Sequence, residues 1–305
     1  HTMKITDVKM TVIPLGPRAR PSSDATTTST HWTFTMVEVF TDEGVTGVCP
    51  GGRLKELTEG PLREALLGED PLNVERVWRK MYDGWRHPAS KGDSMVAMSR
   101  IDIAVWDIVG KALGQPVYRL MGGARDRVPA YAAGGYYEPG KDLSQLQKEM
   151  ADYLKTGYNA VKMKVGRVSL WEDIARVRAV REAVGEATLL MVDANHAFTA
   201  AQAIQFGRAV EQYHPYWYEE PVPADDYRGG AEVCAALDTP VATGENEYSR
   251  WGFRDLIEGR AADIIQADPG VCGGYTEWRK IAALATAHHL PLAPHGHGNL
   301  GAHAV

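Results

Sequence analysis

Thr188-Leu189-Leu190-Met191-Val192-Asp193, Trp217-Tyr218-Glu219 and Val241-Ala242-Thr243-Gly244-Glu245 are three short apolar runs, each closed by a carboxylate. The three acids stand at equal spacing, one strand–helix unit apart, and that repeat decides the fold. Residues 128–133, 160–164, 263–266 and 291–293 are further runs of the same kind. Amphipathic stretches fill the gaps between them. After 160–164, Ser169 and Glu172 form a capping box, Ile174, Val177, Val180 and Val184 recur on one face, and Gly185 stops the helix. Seven strands alternating with helices predict an α/β fold whose parallel sheet is rolled into a (β/α) barrel. No Gly-x-Gly-x-x-Gly follows the first strand, which argues against a dinucleotide-binding sheet.

Upstream the pattern is antiparallel. Residues 4–14 begin as a strand, and 33–40 with 45–49 read as a hairpin around Thr41-Asp42-Glu43-Gly44. Between them, residues 16–30 are rich in Pro, Ser, Thr and Arg and predict a flexible loop. Helical patterning runs from about Leu54 to Gly110. It is clearest where Ile101, Val105, Ile108 and Ala112 recur at helical spacing before the stop signals Gly114 and Pro116. The expected organisation is a small α+β unit over 3–127 and a barrel over 128–305. His1 and Thr2, ahead of Met3, read as an expression scar.

In a barrel, residues at equivalent strand ends meet at one mouth. Lys164, Asp193, Glu219, Glu245, Asp268 and His295 all fall at such ends. A single strand-end acid more often caps the following helix, but three in successive units are not explained that way. Three converging carboxylates stay ionised only around a cation. Their all-oxygen chemistry favours a hard ion, Mg²⁺ first and Mn²⁺ second, with Asp193, Glu219 and Glu245 as ligands. Lys162 and Lys164 alternate with Met163, so both point to the same side of their strand. Neighbouring positive charge is expected to depress their pKa values and make a lysine base available. Asp268 beside His295 would set the imidazole tautomer and form a second acid/base. A zinc site built on His295 and His297 is a weaker alternative, because no second pair completes it.

Composition narrows the partners. A net charge of −6 without any basic run argues against nucleic acid. No apolar run reaches the roughly 20 residues that span a bilayer, so no membrane partner is expected. The three cysteines, Cys49, Cys234 and Cys272, have no close pair and read as reduced thiols of a cytoplasmic protein.

Together these motifs resemble the enolase superfamily, and within it the mandelate racemase/muconate lactonizing enzyme family. Lys162-x-Lys164 is similar to that family's second-strand lysine motif. Asp193-Ala194-Asn195, Glu219-Glu220-Pro221 and Gly244-Glu245-Asn246 resemble its three metal-ligand motifs, and Asp268, Gly273-Gly274 and His295 its Asp–His dyad region. Upstream, the stretch from Ile101 to Gly114 and Leu120-Met121-Gly122-Gly123 match the join between capping domain and barrel. The resemblance implies a modified TIM barrel under an N-terminal α+β capping domain. It also implies an eighth strand and a returning C-terminal segment, which the sequence ending at Val305 does not contain, so the barrel's C-terminal part is expected to be missing.

By the same resemblance, Mg²⁺ and Lys162 would hold a substrate carboxylate while Lys164 and His295, supported by Asp268, exchange protons on opposite faces of its α-carbon. That pairing of a Lys or His base with Mg²⁺ is a general statement about enolase-superfamily sites and not a deduction from this sequence. The expected substrate is a small carboxylate, with contacts from Asn195, Lys162, Arg20 of the 16–30 loop, and Tyr137. Dehydration of an acid sugar to a 2-keto-3-deoxy acid is the favoured reaction. Racemisation or epimerisation of a 2-hydroxy acid is the alternative, and a non-catalytic metabolite-binding barrel the alternative of another class. The resemblance further implies a homo-oligomer.

Overall fold

The computed structural model describes residues 2–296 and 298–305 except 86–90, and the backbone but not the side chain of Trp85. Of the histidines weighed above, His297 lies outside the described residues.

The N-terminal sheet runs β1 (Ile5–Ser23), β2 (Thr28–Thr41) and β3 (Thr46–Pro50), antiparallel and in chain order. Val8 and Met10 alternate inward with Val37 and Val39 and are buried, the period of two that a half-covered sheet requires, and Ile5 joins them across a register irregularity between Ile5 and Asp7. The expected flexible loop over 16–30 is corrected here. Gly16 pairs with Trp32, Pro17 with His31, Ser22 with Ser29 and Ser23 with Thr28, so the segment is the distal half of one long hairpin. Only the tip turns, and Asp24 Oδ1 accepts there from the backbone N–H of Thr26 and Thr27. The prolines misled because on an edge strand a missing N–H costs no ladder bond.

Helix α1 (Val74–Trp85) packs on α2 (Asp93–Leu113), and α2 packs on this sheet. α2 ends at Gly114, whose φ of 62° is the left-handed cap that glycine supplies. Gly47 of β3 is required by proximity: a Cβ there would sit 1.9 Å from the Ala104 carbonyl oxygen of α2.

Among the described residues the second sheet has six parallel strands, again in chain order. They are β4 (Ala132–Gly134), β5 (Ala160–Lys164), β6 (Leu189–Asp193), β7 (Trp217–Glu219), β8 (Val241–Thr243) and β9 (Ile264–Ile265). Between and after them come α3 (Leu143–Lys155), α4 (Leu170–Val184), α5 (Ala200–Val210), α6 (Tyr227–Ala236), α7 (Ser249–Glu258), α8 (Gly274–Ala287) and α9 (Gly298–Ala304). The Ser169–Glu172 capping box forms as expected. Two strand expectations shift. The first strand is 132–134 instead of 128–133, and the seventh, expected over 291–293, is reduced to one parallel bridge between Ile265 and Leu292. Pro129 interrupts the first, and Pro291 and Pro294 confine the other, because proline donates no ladder hydrogen bond.

Side chains leave the barrel wall in alternation. Val161, Met163, Leu190, Val192 and Tyr218 point outward into the helix layer. Ala160, Met191, Trp217, Ala242 and Ile264 form an apolar plug inside. The α+β unit shares one core with the far side of the barrel, where Trp78, Ile101, Val105 and Ile108 meet Phe253, Leu256, Tyr275, Trp278 and Ile281. Polar contacts pin the same joint: Trp78 Nε1 donates to Gly273 O at 2.8 Å, and Trp106 Nε1 to Thr276 Oγ1 at 2.9 Å. Among the described residues no helix is long and apolar enough to cross a membrane.

Candidate metal and acid–base site

The strand register builds the site. Lys164 of β5 is opposite Asp193 of β6, which is opposite Glu219 of β7. One step lower, Lys162, Met191 and Trp217 form the next row. Parallel partners share a face, so a row in register is a layer inside the barrel. Glu245 lies just beyond β8 and reaches the same place. Oxygens of Asp193, Glu219 and Glu245 all lie within 4.8 Å of one another, and all three residues are buried.

The lysines come with them. Lys162 Nζ is paired with Glu219 Oε1 and lies 3.3 Å from Asp193 Oδ2, while Lys164 Nζ is 2.5 Å from the same Asp193 oxygen. Burial alone would raise an aspartate, but the two ammonium groups override it and hold Asp193 well below the usual carboxylate range. Glu219 goes the other way, because burial and its acidic neighbours outweigh Lys162. The expectation of depressed lysines is not met in this arrangement. Burial lowers both, and the adjoining carboxylates more than reverse it, so Lys162 and Lys164 are held charged.

Across the mouth, His295 Nδ1 is 3.0 Å from Asp268 Oδ2 and His295 Nε2 is 3.2 Å from Glu245 Oε2. Burial lowers its pKa, but the Asp268 hydrogen bond and the Glu245 charge raise it to about 9. The imidazole remains about one-third exposed at the mouth, so it can meet a substrate. Asp268 also accepts from the backbone N–H of Gly270 at 2.7 Å, which locks its carboxylate toward the histidine.

These donors fit a hard divalent ion. All are oxygens, they converge, and the neighbouring Asn195 Oδ1 is buried without a hydrogen-bond donor.

The expected substrate contacts divide. Asn195 is at the mouth, buried, with its amide oxygen free. Arg20 is exposed on the hairpin arm and makes no polar contact with the barrel among the described residues. Tyr137 is not available as expected: its hydroxyl donates to Asp173 Oδ1 at 2.6 Å, accepts from Arg167 N at 3.2 Å, and its ring lies under Arg176. Its neighbour Tyr136 faces the site instead, 5.4 Å from Lys164 Nζ.

Sequence reasoning missed the groups that hold the acids. Trp217 Nε1 and Gln266 Nε2 both donate to Glu219 Oε2 at 2.8 Å. The signal was present: Trp217 stands two residues before Glu219, hence on the same face. The hairpin tip reaches the mouth as well. Ser23 and Tyr137 exchange backbone hydrogen bonds at 2.9 Å, and Arg167 Nη1 donates to Asp24 O.

Two family models match the chain. Residues 7–122 match the N-terminal domain of mandelate racemase / muconate lactonizing enzyme, and residues 145–305 match the enolase C-terminal domain-like family. The chain belongs to the enolase superfamily, in its mandelate racemase/muconate lactonizing enzyme family. It is 39% identical to the arabinonate dehydratase of Saccharolobus solfataricus over 77% of this chain and 63% of that protein. It is 38% identical to the D-galactarolactone cycloisomerase of Agrobacterium fabrum over 85% of this chain and 70% of that one. The chain thus spans less than two thirds of the first of these relatives. A racemase from Streptomyces coelicolor with bound magnesium superposes with a TM-score of 0.92 at 31% identity, covering 98% of this chain and 85% of that one. A mutant L-talarate/galactarate dehydratase of Salmonella typhimurium, liganded with Mg and L-glucarate, gives a TM-score of 0.89 at 35% identity, with coverages of 99% and 80%. The two relatives named here are a dehydratase and a cycloisomerase, and the two neighbouring structures both contain magnesium.

Proposed function

We propose that this chain removes the proton α to the carboxylate of an acid sugar and expels the β-hydroxyl, yielding a 2-keto-3-deoxy acid. The observation that supports the reading is that Lys164 pairs with Asp193 of the carboxylate triad while His295, held by Asp268, pairs with Glu245. Asp193, Glu219 and Glu245 would hold Mg²⁺, or Mn²⁺ in its place. When bound, the cation supplies positive charge against both these carboxylates and the negative charge that develops on the substrate. Lys162, fixed by Glu219, adds a second positive charge beside the substrate carboxylate. With Asp193's charge balanced by a cation, Lys164 would release its own proton to solvent, and the neutral amine would take the α-proton. The electron pair left on the α-carbon forms a double bond to the β-carbon as the C–O bond breaks. His295, held by Asp268 with Nε2 toward the site, protonates the departing hydroxyl as water. The enol then becomes the keto acid by proton transfer to the β-carbon.

Residues 3–127 serve in this reading as the cap and 128–305 as the catalytic barrel, a division supported by the two separate family matches. A racemase or epimerase outcome is the second reading, favoured by the name of one neighbour. It uses the same two groups but returns the proton instead of losing water. A binding-only barrel would need neither base. The test is a panel of aldonic and aldaric acids in Mg²⁺ buffer made with D₂O. A 2-keto acid product supports dehydration, deuterated or inverted substrate supports the second reading, and no reaction or exchange with any acid overturns both.

A further inference from the structure

Three non-glycine residues with positive φ sit together at two neighbouring strand ends: Asn195 at 43°, His196 at 66° and Glu220 at 45°. Left-handed backbone at such residues is strained and persists only where surrounding contacts enforce it. Here the strained turns aim Glu220 away from the barrel mouth and bring His196 onto it. Glu220 is fully buried, and Oε1 accepts from Thr243 Oγ1 at 2.6 Å and from Gly244 N at 2.8 Å. His196 Nδ1 is 2.7 Å from Glu220 Oε2 and 3.0 Å from Val222 O. On the other edge of the ring, Nε2 faces Asn246 Nδ2 at 2.7 Å, and the same amide nitrogen is 3.4 Å from Glu245 Oε1. The backbone closes the ring of contacts, with His196 N donating to Glu220 O at 2.8 Å and Ala194 N to Glu219 O at 3.0 Å.

We propose that His196 is a positioning residue that clamps the three acid-bearing strand ends, through Glu220 to the β7 and β8 ends and through Asn246 to Glu245. The inference rests on the metal reading above. His196 touches none of the three acids itself. It follows Asp193 by three residues, Glu220 is bonded to Glu219, and Gly244 and Asn246 flank Glu245, so one imidazole spans all three ligand loops. The contacts also set the tautomer. Asn246 Nδ2 can only donate, so Nε2 accepts and the proton is on Nδ1, where Val222 O accepts it and Glu220 Oε2 lies 2.7 Å away. Partners of this kind, one bond removed from a metal ligand, typically alter affinity by 10–100-fold.

The experiment titrates the 305-residue, substrate-free chain with Mn²⁺, following free Mn²⁺ by electron paramagnetic resonance, with Mg²⁺ as competitor. Thermal unfolding of the metal-free protein is recorded in parallel. His196→Ala should weaken Mn²⁺ binding by about 10–100-fold while the metal-free unfolding temperature stays at the wild-type value. His196→Asn, whose amide nitrogen replaces Nδ1, should recover part of the loss. Asn246→Ala, at an exposed position, should weaken binding on its own, and in a double-mutant cycle with His196→Ala the two losses should be less than additive. Wild-type Mn²⁺ affinity in His196→Ala overturns the clamp, as does a loss matched by an equal fall in metal-free stability. Failure of the wild type to bind Mn²⁺, or binding unaffected by Asp193→Asn, overturns the metal reading itself, and the two failures are distinct.

Discussion

Asp102 offers a test of how the cap holds the barrel. It is fully buried in α2 at the joint with α8, where Oδ2 accepts from Thr276 N at 3.0 Å and Oδ1 has no donor. Burial raises its pKa from 3.8 to about 7, against the hydrogen bonds from Thr276. Between those two values the folded chain keeps a proton that the unfolded chain has released. Raising the pH across that window therefore favours unfolding, and the contribution is level below 3.8 and above about 7. Each decade in the dissociation constant is worth about 1.4 kcal/mol, so the displacement amounts to on the order of 4 kcal/mol between the two plateaus. Asp102→Asn retains an acceptor for Thr276 N and removes the titration. Urea unfolding of both proteins at pH 5, 6, 7 and 8 isolates the effect, since every other group cancels in the difference. The wild type should lose stability relative to Asp102→Asn as pH rises from 5 to 7. A difference that stays flat, or that rises with pH, would refute the reasoning.

Both proton-transfer variants should lose turnover by about 10²–10⁴-fold, yet they should part in D₂O. His295→Asn should still exchange the α-proton of a bound acid sugar, and Lys164→Ala should not; equal exchange by both would remove Lys164 as the base. Glu219→Gln should abolish Mg²⁺ binding and activity while the circular dichroism spectrum is unchanged, since the site lies above an intact apolar plug. Full activity in excess EDTA would contradict that. Arg167→Ala removes the side chain that holds the hairpin tip at Asp24 and Thr28. It should raise KM for substrate several-fold and leave Mn²⁺ affinity unchanged, and an unaltered KM would mean the tip has no part in substrate binding.

Much of this protein is legible along the chain because the barrel is periodic. A strand end every strand–helix unit places Lys164, Asp193, Glu219 and Glu245 at one mouth, and alternation along β5 points Lys162 and Lys164 inward together. The pairing of His295 with Asp268 followed from the same rule. Local signals were sufficient there, since parallel register carries equivalent positions into contact. Tertiary structure alone decided the rest. Residues 16–30 have loop composition, but 16–23 take strand partners from 28–32, and the tip finds Tyr137 more than a hundred residues away. Tyr137 lost its expected role to Asp173, a helix residue on the outer side of the barrel wall. The lysines' charge state depends on carboxylates from two other strands. Glu220 and His196 were invisible as a pair because left-handed turns, not alternation, aim them at each other. Periodicity fixes which face a side chain leaves from, but what it meets there depends on distant segments whose approach no local pattern encodes.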